Sequence, residues 1–399
     1  MARLTSSGFE LNSTTADVEF TTVTNGTIQT STVRSGTYAG QITSLVTLTA
    51  RGFEYQFASA AGNGPYYLRV YINVATLPSA ANTIITLNNT TGLVGTPEAS
   101  IKLDNTGAFS LFNGLTSQVG SASSTISTGT WHSLELWFDA TGGVGGDTLK
   151  ARLDGVEFAS ATNLTILAGV LAFTVGGNLN AEAQTTGEWY FDDIAINDST
   201  GSFQNSYPGE GKIIHLRPNA AGDNSAWTGT FADIDEVTPD GTTFIVATGI
   251  INIIEDVKIE ANFLNASSII NCVQLGFVYD YAGAIPGGGV DIRLRIKSEP
   301  SGTVETADVN IDTANVVTNA KAVPRNYPLT LYDLPGASTT AWTKDTLKTA
   351  QIGVEDITGD GDHRLDSMWL LVDYVSETTI GYIIPNKLRP AIFAPGRAR

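Results

Sequence analysis

The chain has little of several residue types on which common protein chemistries depend. Its 399 residues include one cysteine and three histidines, and charged residues make up only 16%. Cys272 alone cannot form an internal disulfide, and its apolar surroundings predict a buried, inert thiol. No apolar run reaches the ~18 residues of a membrane span, and the N-terminus lacks the apolar segment of a signal peptide, so we expect neither feature.

Positive charge is scarce as well. The formal net charge is −18 and the isoelectric point is near 4.4. A protein this acidic repels phosphate backbones and anionic lipid headgroups, so we expect no nucleic-acid partner and no membrane partner. Without a signal peptide, we expect synthesis in a cytoplasm.

Alternation of apolar and polar residues with a period of two dominates the chain, whereas helical periodicity is nearly absent. Residues 131–161 predict a three-stranded antiparallel meander, with Asp154-Gly155 as a two-residue hairpin turn. Residues 290–297 alternate strictly, which predicts a strand with one buried face and one wet face. The pattern is typical of β-sandwiches.

The predicted fold class is all-β, with two antiparallel β-sandwich (jelly-roll) domains in tandem and an extended C-terminal arm. Tyr207-Pro208-Gly209 interrupts any strand ladder and is the linker candidate. The predicted divisions are residues 1–205, residues 206–381 for attachment or oligomerisation, and residues 382–399 for the arm.

The predicted arm differs from the rest of the chain because it is basic and rich in proline. Its apolar and cationic residues suit docking on another surface, such as an acidic neighbouring copy; a flexible end is the alternative. The residues assigned to this assembly role are Lys387, Arg389, Phe393 and Arg397.

A resemblance covers roughly residues 5–198. The phrases that carry it are GFE at 8–10, VRSGTYA at 33–39, WHSLEL at 131–136, LDGV at 153–156, VGG at 175–177 and YFDDIAI at 190–196. This series resembles the concanavalin A-like or laminin-G-like jelly roll. The resemblance implies the jelly-roll fold and says little about a ligand.

The second half carries another resemblance. The phrases are YPGEGKIIHLRPNAAGD at 207–223, AWT at 341–343, QIGVE at 351–355 and VDY at 372–374. They are similar to a domain that follows such jelly rolls in tailed-bacteriophage virion proteins, which are tail, fibre or capsid-surface components. The resemblance implies a structural role on the virion.

Catalytic patterns are weak. Glycanases of concanavalin A-like fold pair two carboxylates, and the nearest phrase here, with Asp233 and Asp235, lacks the third acid because Val237 stands in its place. The three histidines accompany no nucleophile elbow, so we interpret each as structural. Asp192-Asp193 lies inside a predicted strand, where a structural role is favoured over a calcium site.

Two tryptophans are the glycan-binding candidates, because an indole packs against the apolar face of a sugar. Trp137 faces away from its apolar strand neighbours, and Trp227 lies in a predicted loop. A core position is the alternative for Trp137. The stripe of Arg293, Arg295 and Lys297 predicts a wet face paired with local carboxylates, with an acidic partner as the alternative.

The acidic stretch DITGDGDHRLDS, residues 356–367, is interpreted as the tip of a hairpin. Asp356, Asp360 and Asp362 fit calcium-loop positions, but Ser367 stands where a bidentate Glu is needed. We therefore expect no cofactor, with calcium at these aspartates as the alternative.

The expected function is that of a non-enzymatic virion structural protein, located in the virion and displayed on its surface as a tail, fibre or capsid-decoration component. Its expected partners are other virion proteins, further copies of itself and host surface glycans. The alternatives are a glycan-cleaving depolymerase of concanavalin A-like fold and a stand-alone lectin.

Overall fold

The computed structural model describes residues 3–16, 18–44, 49–57, 62–179, 186–260, 264–265, 267–281, 290–311, 327, 329–337, 339–359 and 362–376. Strands fill most of this part of the chain, which confirms the all-β prediction. Among the described residues, no helix is long and apolar enough to cross a membrane. The predicted arm, with Lys387, Arg389, Phe393 and Arg397, lies outside the described residues.

The strands of the first half are short and closely spaced. In chain order they are β1 (Arg3–Ser7), β2 (Thr22–Thr24), β3 (Thr27–Gln29), β4 (Ala39–Ser44), β5 (Arg51–Gln56), β6 (Tyr66–Thr76), β7 (Asn82–Asn88), β8 (Pro97–Leu103), β9 (Phe109–Asn113), β10 (Ser117–Val119), β11 (Trp131–Asp139), β12 (Asp147–Leu153), β13 (Val156–Leu164), β14 (Ala172–Gly177) and β15 (Gly187–Asp198).

The second half continues in the same manner. Its strands are β16 (Lys212–Leu216), β17 (Pro218–Ser225), β18 (Ile245–Thr248), β19 (Ile253–Ile259), β20 (Ile269–Tyr281), β21 (Val290–Lys297), β22 (Val304–Ile311), β23 (Thr330–Leu331), β24 (Gln351–Asp356) and β25 (Asp362–Val375). One short helix, α1 (Lys344–Thr349), precedes β24.

The first half forms two antiparallel sheets. Sheet A has the order β13-β12-β11-β6-β15-β4-β3, with β1 also pairing β15. Sheet B has the order β10-β9-β8-β7-β14-β5-β2. The predicted meander is present as β11, β12 and β13, and Asp154 and Gly155 both have positive φ, as a type I′ turn requires.

The core of the first half lies between sheets A and B. Alternate side chains of each strand point into it, including Leu134, Leu136 and Phe138 of β11. Trp189 and Phe191 of β15 are fully buried in the same cluster. Because the side chains between them face the other way, each strand of sheet A also presents an outer face.

The second half forms two further sheets. Sheet C has the order β16-β25-β20-β23, with β18 pairing β25, and sheet D has the order β17-β19-β24-β21-β22. Its own core contains alternate residues of β21, as the alternation predicted: Ile292, Leu294 and Ile296 are fully buried.

The two halves pack against each other through a mixed interface. An apolar cluster joins Leu11, Val18 and Ala195 of the first half to residues of the second half, namely Ile213, Val278, Tyr327, Trp369 and Leu371. Beside it, the buried Asp373 carboxylate accepts a hydrogen bond from Arg3 at 2.6 Å and lies 3.5 Å from Arg69. Despite the cost of burial, these two cations hold the pKa of Asp373 below its usual value.

Candidate functional site

A group of polar and aromatic side chains occupies one end of the outer face of sheet A. We call it the polar patch; its residues are Gln41 (β4), Asn73 (β6), Trp131 (β11), Glu188 and Tyr190 (β15). Each alternates with inward-facing core residues, such as Ile42, Ile72 and Trp189. The strand period of two therefore places all five on the outer face.

The pairing register sets most of these residues in one row across four strands. Tyr190 lies opposite Gln41 on one side and Asn73 on the other, and Asn73 lies opposite Trp131. Directly opposed side chains on one face are in contact distance. Gln41, Trp131 and Glu188 are half-buried, whereas Tyr190 and Asn73 are buried. The exposed residues Thr27 and Thr43 lie opposite Gln41 and Glu188, so the row is open to solvent at its β4 end.

Glu188 is the centre of the hydrogen-bond network in the polar patch. Its Oε1 accepts hydrogen bonds from Gln41 Nε2 at 2.6 Å and from the Tyr190 hydroxyl at 2.8 Å. Burial raises the pKa of Tyr190, and the hydrogen bond and negative charge of Glu188 raise it further. The phenol is therefore protonated at neutral pH and donates to a carboxylate whose position Gln41 fixes.

This arrangement brings together a hydroxyl, a carboxylate and an amide that orients the carboxylate. A hydroxyl within hydrogen-bond reach of a base, with a third group orienting the base, is the geometry on which covalent catalysis depends. Tyr190, Glu188 and Gln41 supply these three parts in that order.

Residues 207–211 cross the outer face of sheet A beside the polar patch. Gly209 N donates to Glu135 at 3.1 Å, and Gly209 O accepts from Arg69 at 3.0 Å. Arg152 lies over the ring of Tyr207, 3.7 Å from its centroid. This segment separates the polar patch from the other end of the face, where Trp137 lies.

The structure removes both predicted glycan-binding tryptophans from the candidates. Trp137 does lie on the outer face, but Tyr67 stacks on its ring from one flanking strand, and Lys150 lies 4.8 Å over it from the other. A sugar ring has no free indole face there. Trp227 is 5% exposed and packs in the core of the second half, with Nε1 donating to Ile253 O at 3.3 Å.

The polar patch was missed because no motif marks it. Its residues are scattered through AGQI, YINV, WHSL and EWYF. The alternation of Glu188 and Tyr190 with Trp189 and Phe191 was the available signal for a shared outward face. Only the pairing of β15 between β4 and β6 brings Gln41 and Asn73 to them.

Asp192-Asp193 has the structural role that the sequence favoured. The Asp193 carboxylate accepts hydrogen bonds from Arg34 at 2.5 Å, Ser35 Oγ at 2.6 Å and Ile213 N at 2.6 Å. Asp192 accepts from Arg34 N at 2.9 Å. Burial and the neighbouring Asp193 raise the pKa of Asp192 well above its usual range.

No metal centre is evident in the described part of the chain, where no cluster of three or more His, Cys, Asp or Glu side chains is arranged to hold an ion. At the DITGDGDHRLDS stretch, Asp356 Oδ1 accepts from Thr358 N and Gly359 N and lies 3.3 Å from His363 Nε2. Asp360 and the side chain of Asp362 lie outside the described residues, so calcium there stays a prediction.

The hairpin interpretation of that stretch is wrong. β24 belongs to sheet D, where it pairs β19 and β21, whereas β25 belongs to sheet C, where it pairs β16, β18 and β20. The segment therefore passes from one sheet of the sandwich to the other. Two consecutive alternating strands have the same local pattern whether they pair with each other or with distant strands.

The other candidates have structural partners. His132 pairs with Asp154 at 2.8 Å, His215 stacks on Trp369, and His363 Nδ1 lies 2.6 Å from the Tyr279 hydroxyl. Asp233 lies in a 3-10 turn and accepts from Thr230 N at 2.7 Å, so it does not share a strand face with Asp235.

The cationic stripe is paired with local carboxylates, as the sequence favoured. Arg293 contacts Asp308 at 2.6 Å, Arg295 contacts Glu355 at 3.0 Å, and Lys297 contacts Asp223 at 2.8 Å.

Sheet B carries two outward carboxylates, Glu54 on β5 and Glu98 on β8, and both are buried. Strands β14 and β7 separate them, so their backbones lie about 14 Å apart. Glycosidases with paired carboxylates need about 5–9 Å. Glu54 accepts from Gly92 N at 2.7 Å, and Glu98 from Asn89 Nδ2 at 2.5 Å, so both fasten the loop after β7.

Comparison with known proteins gives structural matches only. No protein-family model and no curated protein matches the sequence. Endo-β-1,4-glucuronan lyase from the fungus Trichoderma reesei is 15% identical with a TM-score of 0.36, over 49% of this chain and 95% of the lyase. Cellulose-induced protein Cip1 is 16% identical with a TM-score of 0.38, over 52% of this chain and all of Cip1 (100%).

A third match is the Trypanosoma rangeli sialidase in complex with sialic acid. It is 12% identical with a TM-score of 0.33, and the match covers 44% of this chain and 27% of the sialidase.

These matches correct the expected function. The proteins are named as a glucuronan lyase, a cellulose-induced protein and a sialidase, and no phage link is shown. The prediction of a non-enzymatic virion structural protein is wrong. The chain is an all-β protein whose antiparallel sheets form sandwich-like folds.

Proposed function

We propose that this protein binds a glycan on the polar patch and cleaves it, with Tyr190 as nucleophile and Glu188 as its base. One observation carries the proposal. Glu188 Oε1 accepts hydrogen bonds from both the Tyr190 hydroxyl and the Gln41 amide, on a sheet face that is open along one edge.

The chemistry follows from the protonation states. Tyr190 holds its proton at neutral pH because its pKa is raised, so attack on an anomeric carbon requires a base within reach. Glu188 would accept the phenol proton as the Tyr190 oxygen attacks the anomeric carbon and the glycosidic C–O bond breaks, and the leaving oxygen would take a proton from solvent. Water would then attack the anomeric carbon and break its bond to Tyr190. The water's hydroxyl would stay with the sugar, its other proton would go to the Tyr190 oxygen, and Glu188 would return its proton to solvent. Tyrosine nucleophiles occur among glycosidases.

The remaining residues of the polar patch suit sugar binding. Trp131 offers an indole at the end of the row, and an apolar sugar face packs against such a ring. Asn73 and Gln41 offer amide groups that can exchange hydrogen bonds with sugar hydroxyls. The row from Gln41 to Trp131 spans four adjacent strands, which is about 14 Å and matches two to three sugar units.

The test is to incubate the full-length protein with a panel of polysaccharides and to measure cleavage as the appearance of new chain ends. We expect Tyr190→Phe and Glu188→Gln each to lower kcat by about 10²- to 10⁴-fold, because each removes one partner of the proton transfer. KM should change by no more than a few-fold.

Glu157→Gln on the exposed β13 edge is the matched control, since it removes an equal charge from the same sheet far from the polar patch. Full activity in both Tyr190→Phe and Glu188→Gln would overturn the proposal. Glycan binding without new chain ends in the unaltered protein would show a lectin instead.

A further inference from the structure

We propose that the polar patch takes an uncharged glycan and discriminates against chains that carry uronate or sialate groups. This inference rests on the proposed glycan-cleaving function and adds the substrate class.

The polar patch contains a single charged side chain, the carboxylate of Glu188. Its other members, Gln41, Asn73, Trp131 and Tyr190, are neutral, as are Thr27 and Thr43 beside them. Neutral amides and hydroxyls pair well with sugar hydroxyls, whereas a sugar carboxylate requires a cation or several donors to offset its desolvation. No such cation is present among these residues.

Arg34 contacts Asp192 and Asp193, two and three residues beyond Tyr190 in the chain, and its guanidinium is already occupied. Its guanidinium lies 3.2 Å from the centroid of Tyr71, donates to Asp193 at 2.5 Å and donates to Gly211 O at 2.7 Å. The side chain is only 11% exposed. Turning it toward a ligand would leave the buried Asp193 carboxylate without its cationic partner, and breaking a buried ion pair is strongly destabilising.

The remaining cations described on the outer face of sheet A are occupied too. Arg3 and Arg69 are fully buried against Asp373. Lys150 lies over the ring of Trp137, and Arg152 lies over the ring of Tyr207.

The chain segments next to the polar patch add no positive charge. Residues 39–44 (β4) and residues 186–190, which lead into the Glu188-Tyr190 pair, contain no lysine or arginine. The whole chain has a net charge of −18. An anionic polysaccharide therefore meets repulsion at long range and finds no counter-charge at close range.

The test compares two forms of one glycan on the full-length protein. A neutral β-glucan that the protein binds is oxidised at C6 to its uronate form, so that backbone and length are matched. We expect the oxidised form to bind at least about tenfold more weakly at low salt, with the difference shrinking as salt screens the charges. Equal or tighter binding of the oxidised form would overturn the inference and leave glycan cleavage intact.

A charge variant sharpens the comparison. Thr43→Lys places a cation beside the polar patch at an exposed position, and we expect it to gain several-fold affinity for the oxidised form. Thr162→Lys on β13 makes the same charge change at an exposed position at the far edge of sheet A. We expect this variant to gain no affinity for the oxidised form. Equal gains in both variants would overturn the inference, and failure to bind any glycan, neutral or oxidised, would instead overturn the proposed function itself.

Discussion

Glu10 shows what a buried carboxylate does in this protein. Its side chain is 7% exposed and accepts hydrogen bonds from Thr37 N at 2.9 Å and Tyr38 N at 3.1 Å. Burial raises the pKa of Glu10 from its ordinary 4.5 to about 8. The buried carboxyl of Glu10 is therefore protonated over much of the physiological pH range.

We expect this titration to make stability fall as the pH rises. In the unfolded chain Glu10 ionises near 4.5, whereas in the fold it holds its proton up to about 8. The contribution of Glu10 to the unfolding free energy is complete below its pKa in the unfolded chain, and it is lost as the pH rises through its pKa in the fold. Glu10→Gln should reduce the fall in unfolding free energy between about pH 5 and about pH 9, by roughly 1–3 kcal/mol.

Urea denaturation across that pH range measures the effect. The pKa values of Glu19 and Asp192 are also raised by burial. In Glu10→Gln, the unfolding free energy should therefore still fall as the pH rises, but less steeply than in the unaltered protein. Glu157→Gln, at an exposed position, is the control. An unchanged slope in Glu10→Gln would show that Glu10 does not carry this titration.

Strand β15 connects the core, the polar patch and the second half. Trp189 and Phe191 point into the core, while Glu188 and Tyr190 point to the polar patch. Asp193, with a φ of 51°, departs from the strand conformation at a bulge and aims its carboxylate at the linker into β16. One strand therefore holds the proposed nucleophile and base at a fixed distance from the interface between the halves.

Strand β11 provides a matched pair of tryptophans for testing the polar patch. Trp131 lies in the row opposite Asn73, whereas Trp137 is covered by Tyr67 and Lys150. We expect Trp131→Ala to weaken glycan binding by about 1 kcal/mol, roughly fivefold, with little loss of stability. Trp137→Ala should lower the melting temperature and leave glycan affinity unchanged. Calorimetric titration measures the glycan affinity of both variants, and thermal melting measures their stability. Unchanged affinity in Trp131→Ala with weakened affinity in Trp137→Ala would contradict the position of the binding surface.

Local patterns predicted the strands well and their neighbours less well. The meander of β11, β12 and β13 was predictable because its turns are short and Asp154-Gly155 suits positive φ. The partners of β24 and β25 were not, because alternation says which face is buried and nothing about which strand lies alongside. The same limit hid the polar patch, since Gln41 and Glu188 are 147 positions apart in the chain.

At the scale of the whole molecule, the buried Asp373 links the two halves. Its carboxylate contacts Arg3 and Arg69 of the first half and accepts from Asn271 of the second half at 2.8 Å. A buried charge that loses its partner is strongly destabilising. The boundary near residue 205, self-association, the virion location and the host-glycan partner stay predictions.

We expect Asp373→Asn to lower the unfolding free energy by about 3–5 kcal/mol, because Arg3 and Arg69 would lose their buried counter-charge. Asp308→Asn, which removes the carboxylate from a largely exposed pair with Arg293, should cost no more than about 1 kcal/mol. Urea unfolding followed by circular dichroism and by tryptophan fluorescence should give one coincident transition. Two separate transitions in the unaltered protein would contradict a tight coupling of the halves.

The most direct measurement is the detection of a sugar bound covalently to Tyr190. Turnover on a neutral glycan is quenched rapidly, the protein is digested, and the peptide that contains Glu188 and Tyr190 is sequenced by mass spectrometry. We expect a glycosyl adduct on the Tyr190 oxygen in the unaltered protein and none in Tyr190→Phe. An adduct on another residue, or turnover in which no adduct forms on Tyr190, would contradict the assignment of the polar patch as the catalytic site.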